Sequence, residues 1–139
     1  MPAHTAALRH LLSDFRLAVL KELKNATTPQ EKVISLIDAC LADDQFSDEI
    51  VSAWLIFYAY SQNSMEARKL LQVYVRRLQS NLRYYLRPLC GHKTEEAAEV
   101  VGSLIDGIFI RQALRIEKAD ANYARTLVKE CIQPYLARN

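Results

Sequence analysis

The chain has 139 residues, of which 50% are hydrophobic and 24% charged, with a formal net charge of +2. This length suits one globular domain with a substantial core, and so mild a charge gives no compositional sign of nucleic-acid binding. The apolar runs are much shorter than a membrane-spanning helix needs and the N-terminus lacks a signal-peptide pattern, so we expect a cytoplasmic protein without a membrane partner.

The composition favours long helices joined by short turns, since only three glycines and four prolines occur in the chain. We therefore predict an all-α fold. The first helix covers about residues 6–24, where apolar residues recur every three or four positions. Residues 28–31, Thr-Pro-Gln-Glu, form a capping box that starts a second helix running to about residue 42. Residues 43–47 break the pattern, and acidic residues in the next turn start a third helix over about 48–62.

The fourth predicted helix spans about residues 65–89 and ends soon after Pro88. A loop containing Cys90 follows, and Thr94 is the predicted N-cap of a fifth helix over about 95–115. The sixth helix begins at an Asp120 cap, and Pro134 is expected to distort or end it near residue 133. The arginines of the fourth helix are expected to form a solvated face; they are Arg76, Arg77, Arg83 and Arg87.

No pattern of catalytic or metal-binding residues is present in the sequence. The three cysteines are widely spaced without a CxxC pair, which indicates neither a disulfide framework nor a zinc site. The histidines lie far apart in the N-terminal tail, the first helix and a loop, and no P-loop or nucleophile-elbow motif occurs. We therefore expect no enzymatic activity, no cofactor and no bound metal.

An aromatic face is the first candidate site. Trp54, Phe57, Tyr58 and Ser61 follow the i, i+3, i+4, i+7 spacing of one helix face, and Tyr74 on the next helix is a candidate neighbour. Such rings hold quaternary ammonium groups by cation–π attraction. The same spacing is also typical of ordinary core residues, and the pattern alone leaves both interpretations open.

The fifth helix is apolar on nearly every side, which predicts a buried or oligomeric helix. Asp106 interrupts it, either to neutralise a cationic ligand or to meet water or an arginine such as Arg111. Gly102 and Gly107 are unfavourable inside a helix and therefore indicate close backbone approach. That approach comes from a second subunit or from within one subunit.

Three segments carry a family resemblance: AWLIFY at 53–58, RRLQSNL at 76–82 and LIDGIFIR at 104–111. They resemble the C-terminal half of TetR-family transcriptional repressors, closest to the choline-responsive BetI-type branch. The resemblance extends from about Arg9 to Leu136. It implies a single effector-binding and dimerisation domain over residues 1–139, folded as a six-helix orthogonal bundle. The last two helices would pair with those of a second subunit in a four-helix bundle, which implies a homodimer.

The resemblance also implies sites and partners. A small cationic, choline-like ligand would be bound by Trp54, Phe57, Tyr58, Ser61, Tyr74 and Asp106. The dimer interface would contain Gly102, Ile105, Phe109, Ala113, Ala124, Leu127 and Cys131. Family members contact DNA through a helix-turn-helix domain that precedes this region, and we expect that domain to be absent from this chain. The alternative is a stand-alone helical dimerisation protein that binds no small molecule and forms inactive heterodimers with a full-length relative.

Overall fold

The computed structural model describes the backbone of residues 2–136 and the side chains of residues 5–136. The histidine side chain at position 4 and the last three residues of the predicted domain lie outside this described part. Six α-helices follow one another along the chain: α1 Pro2–Leu23, α2 Pro29–Cys40, α3 Asp48–Ser61, α4 Met65–Cys90, α5 Thr94–Ala113 and α6 Ala121–Leu136. Two short 3-10 turns, Asp43–Phe46 and Gly91–Lys93, precede α3 and α5. The predicted all-α class is confirmed.

Polar side chains start the helices as the sequence predicts. The Thr28 hydroxyl accepts a hydrogen bond from the Glu31 amide at 3.1 Å, and the Glu31 carboxylate accepts one from the Thr28 amide at 3.0 Å. The hydrogen bond from the Thr28 amide to the carboxylate, with two more from Thr27, lowers the pKa of Glu31 to about 2. Asp120 caps α6 by accepting a hydrogen bond from the Tyr123 amide at 2.9 Å.

Thr94 is not the predicted N-cap of α5, and α6 does not end near residue 133. Thr94 is the first residue of α5 rather than its N-cap, because its hydroxyl donates a 2.6 Å hydrogen bond back to the Gly91 carbonyl within the preceding 3-10 turn. Pro134 lies inside α6, which continues to Leu136. Proline removes one donor from the helix, and the acceptor that loses it belongs to exposed Glu130, where water can replace the bond.

Cys90 does not lie in a loop, which corrects the prediction for it. It is the last residue of α4, and its buried thiol donates a hydrogen bond to the Tyr135 carbonyl at 3.5 Å. Burial raises the pKa of this thiol. Cys40 is also buried, and burial raises its pKa to about 12, whereas Cys131 is exposed. The two buried thiols are therefore protonated and unreactive near neutral pH.

The core is one continuous cluster to which all six helices contribute. Its fully buried members include Leu8 of α1, Ile37 of α2, Leu86 of α4 and Ile132 of α6. Polar contacts tie α6 to the α2 end of the bundle: Lys129 pairs with Asp38 at 2.6 Å, and Arg125 donates to the Leu41 carbonyl at 2.8 Å and to Asp43 at 3.0 Å. Among the helices of residues 2–136, none is both long and apolar enough to cross a membrane.

Candidate functional site

Four aromatic side chains from three helices meet beside α1, and we call them the aromatic cluster: Phe15, Trp54, Tyr58 and Tyr74. The Trp54 ring centroid lies 5.2 Å from that of Tyr74 and 5.9 Å from that of Tyr58. Phe15 makes edge contacts with Tyr74 at 5.3 Å and with Trp54 at 6.2 Å. At these separations the rings pack against one another in tilted and edge contacts, and their π faces are of the kind that attracts a cationic group.

The structure brings together three of the four predicted aromatic residues. Trp54 is buried and Tyr58 and Tyr74 are half-buried within the cluster. Phe57 is buried in the core, and no ring contact joins it to the described members of the cluster. The Ser61 hydroxyl donates a 2.7 Å hydrogen bond to the Tyr58 carbonyl, so its donor is engaged within α3.

Asp106 supplies a negative charge near the cluster. The residue keeps solvent exposure, and its carboxylate forms no hydrogen bond or ion pair with the residues that the structure describes, Arg111 included. Desolvation raises its pKa, and the charge of Glu99 adds to the rise. Asp106 is thus exposed overall, while neighbouring atoms partly desolvate its carboxylate and no described residue pairs with it.

Asp106 lies close enough to the cluster to affect its titrating groups. Burial is the main cause that raises the pKa values of Tyr58, Tyr74 and Cys40, and the negative charge of Asp106 raises all three further. The tyrosines therefore stay neutral across the ordinary pH range. A cation placed among the rings would be stabilised by the same carboxylate.

The sequence analysis missed two residues of this site, Phe15 and Cys40. Phe15 is part of the apolar stripe of α1, and Cys40 is the last residue of α2. Nothing in the local pattern distinguishes either from other core residues. Phe15 contacts Trp54 and Tyr74, and Cys40 lies near Tyr58 and Tyr74, because α1 and α2 both pack against α4.

Four of the residues predicted for a dimer interface lie in the core of a single subunit: Gly102, Ile105, Phe109 and Ala124. Phe109 stacks on Phe46 of the same chain at 5.0 Å, and the open side of Gly102 faces the Gln79 side chain of α4. These residues leave almost no surface for a second subunit. The other three keep surface, since Ala113 and Cys131 are exposed and Leu127 is half-buried.

One side of α5, continued by its C-cap residue, is largely apolar and open, and we call it the α5 outer face: Ser103, Gly107, Ile110 and Leu114. These residues recur at spacings of three and four, so they lie on one side of the helix. Ile110 is 47% exposed and Leu114 is 80% exposed. A methyl group added at Gly107 would meet no atom within 4 Å. Contacts within the subunit therefore do not explain a glycine at this position.

Comparisons with known proteins agree on one family. The family model described as BetI-type transcriptional repressor, C-terminal, matches residues 29–137. The HTH-type transcriptional regulator BetI of Rhizobium meliloti is 39% identical over 135 residues, which cover 96% of this chain and 66% of that protein. The protein of the same name from Brucella melitensis biotype 2 is 38% identical over 128 residues, covering 91% of this chain and 65% of that protein. The chain thus spans slightly less than two thirds of these relatives, and no solved structure matches it.

Proposed function

The chain belongs to the family of BetI-type transcriptional repressors, and we propose that it forms the effector-binding and dimerisation part of such a regulator. Its relatives are transcriptional regulators rather than enzymes. One observation carries the effector-binding proposal: the aromatic cluster lies beside the unpaired carboxylate of Asp106.

The ligand we propose is a small organic cation such as choline. Each aromatic ring that faces a desolvated quaternary ammonium group contributes about 0.5–2 kcal/mol by cation–π attraction. The unpaired Asp106 carboxylate would supply the counter-charge, and the cation would in turn favour the ionised carboxylate. A quaternary ammonium ion can make both the cation–π contacts with the rings and the charge interaction with Asp106, whereas a neutral alcohol of the same shape can make neither.

Binding would be transmitted through α1. Phe15 of α1 contacts both Trp54 and Tyr74, so a ligand that separates these rings must also displace Phe15. A ligand shifts a conformational equilibrium by its difference in affinity for the two arrangements. The position of α1 would therefore depend on whether the aromatic cluster is occupied.

We propose that the chain forms a homodimer through the α5 outer face and the exposed side of α6. Of the residues predicted for the interface, Ala113, Leu127 and Cys131 remain in this proposal because they keep surface for a partner. The open space at Gly107 supports close approach of a second helix there. Exposed Leu114 and Tyr123 near the α5–α6 connection would be covered in the same contact.

Thermal unfolding with and without ligand tests the effector proposal. Choline at 100 times its dissociation constant should stabilise the fold by about 2.7 kcal/mol. The neutral isostere 3,3-dimethylbutan-1-ol should give a much smaller shift. Betaine should bind more weakly than choline, because its carboxylate is repelled by Asp106.

Two charge variants provide the matched comparison. Asp106→Asn keeps the shape of the side chain and should strongly reduce the choline shift, whereas Glu99→Gln removes a nearby carboxylate and should preserve it. Trp54→Phe should reduce the shift while retaining an aromatic ring in the core. Absence of any shift with choline, betaine and a wider panel of quaternary ammonium ions would contradict the proposal and favour the stand-alone dimerisation protein.

A further inference from the structure

A groove of about 600 Å³ runs between α1 and α4. Its lining extends from Leu12 to Leu23 on α1 and from Leu70 to Asn81 on α4. The twelve positions of helix on each wall are separated by eleven rises of about 1.5 Å, which gives a length of about 16 Å. Phe15 and Tyr74 of the aromatic cluster form part of the lining, so the groove and the cluster share these two rings.

The lining of the groove combines an apolar floor with positive charge. Most of the lining residues are aliphatic or aromatic, and Leu20 and Val73 remain about half exposed within it. The only charged residues in the lining are Arg16 of α1 and Arg77 of α4. Neither guanidinium makes an ion pair with a carboxylate in the described part of the chain. The groove therefore has the opposite charge preference to the site beside Asp106.

We propose that this groove binds an amphiphilic anion, such as the monomer of a medium-chain fatty acid. The carboxylate would accept hydrogen bonds from Arg16 and Arg77, and the alkyl chain would lie along the apolar floor and cover Leu20 and Val73. Arginine is suited to this role because its planar guanidinium pairs with a carboxylate through two parallel hydrogen bonds. Different charged residues define this site and the proposed cation site, while the two sites share the rings of Phe15 and Tyr74.

The size of the groove favours a small molecule over a helix of a partner protein. Small-molecule sites usually measure about 300–1,000 Å³, and this groove lies within that range. A partner helix about 10 Å in diameter and three turns long occupies roughly 1,200 Å³, about twice the available space. An extended alkyl chain of about ten carbons fits within the length of the groove and fills part of its volume.

Titration calorimetry with decanoate, below the concentration at which it forms micelles, tests the proposal. We expect decanoate to bind the unmodified chain. Butyrate should bind much more weakly because it lacks the long alkyl chain, and decan-1-ol should bind much more weakly because it lacks the carboxylate. The double variant Arg16→Gln/Arg77→Gln should weaken decanoate binding by about tenfold for each guanidinium removed. Thermal unfolding of the variant in the absence of ligand establishes that it is folded.

The control is the double variant Arg9→Gln/Arg76→Gln, which removes two exposed arginines from the same two helices outside the groove. It has the same net charge as the groove variant and should bind decanoate like the unmodified chain. Equal weakening by the two double variants would mean nonspecific attraction and would overturn the proposal. No binding of decanoate, or a preference for decan-1-ol or an acidic amphipathic peptide, would also overturn it. Asp106→Asn should leave decanoate binding unchanged, which separates this result from the test with choline.

Discussion

Alanine at Gly107 tests whether a second subunit covers the α5 outer face. In an isolated subunit the new methyl group meets no atom within 4 Å, so only the helix propensity of the residue changes. Alanine is more favourable than glycine in a helix interior by about 0.8–1 kcal/mol. For a chain of 139 residues, 1 kcal/mol corresponds to a rise in Tm of roughly 3 °C. Gly107→Ala should therefore stabilise the subunit itself by this amount.

The dimer should respond in the opposite direction. Each subunit would place one added methyl group where the helices approach closely, and overpacking of this kind typically costs about 1–3 kcal/mol. Because about 1.4 kcal/mol changes an equilibrium constant tenfold, the dimer dissociation constant should rise by roughly five- to a hundred-fold. Sedimentation velocity over a concentration series measures this constant, and urea unfolding at low protein concentration measures the stability of the subunit.

Gly102→Ala is the matched control, since Gly102 is also in α5 but faces Gln79 of its own chain. There the methyl group displaces the end of the Gln79 side chain, which offsets part of the gain in helix propensity, and the dimer constant should stay unchanged. If Gly107→Ala raises the Tm and leaves the dimer constant as it was, the second subunit does not contact this face of α5.

Three further results are expected. Glu31 has its pKa lowered from 4.5 to about 2 in the fold, so its charge stabilises the fold fully above pH 4.5 and progressively less as the pH falls toward 2; Glu31→Gln should flatten the pH dependence of urea unfolding in that window. Cys131 should be the first thiol to react with a thiol reagent such as 5,5′-dithiobis(2-nitrobenzoate), at a rate that falls as dimers form, and equal rates for all three cysteines would contradict the described burial. Arg125→Ala leaves the Leu41 carbonyl without this donor and should lower the free energy of unfolding by about 1–3 kcal/mol, as measured in urea.

Local chemistry explains why most of the fold could be predicted. The capping box at Thr28 and the cap at Asp120 involve residues within three positions of each other, so the sequence contains all the partners. The error at Cys90 arises because a more distant contact decides. Cys90 is held in α4 by a hydrogen bond to Tyr135, 45 positions away, and no local pattern shows that contact.

The candidate site was predictable only in part for the same reason. Helical spacing places Trp54 and Tyr58 on one face of α3, but which other helix supplies rings to that face depends on tertiary packing. For the interface, α5 is apolar on nearly all sides, and its sequence does not show which side packs inward. The structure resolves the ambiguity, because Ile105 and Phe109 face the core and Ile110 faces outward.

The shared position of Phe15 and Tyr74 couples the two proposed ligands. A cation entering between Trp54 and Tyr74 would push Tyr74 and Phe15 toward the α1–α4 groove, and an alkyl chain in that groove would oppose the displacement. Saturating decanoate should therefore weaken choline binding, and choline should weaken decanoate binding by the same factor, since linkage between two sites is reciprocal. Coupling of this kind typically changes affinity about 5- to 150-fold, which calorimetric titration of one ligand in the presence of the other can measure. Independent binding of the two ligands would mean that the two rings do not move between the sites and would contradict this coupling.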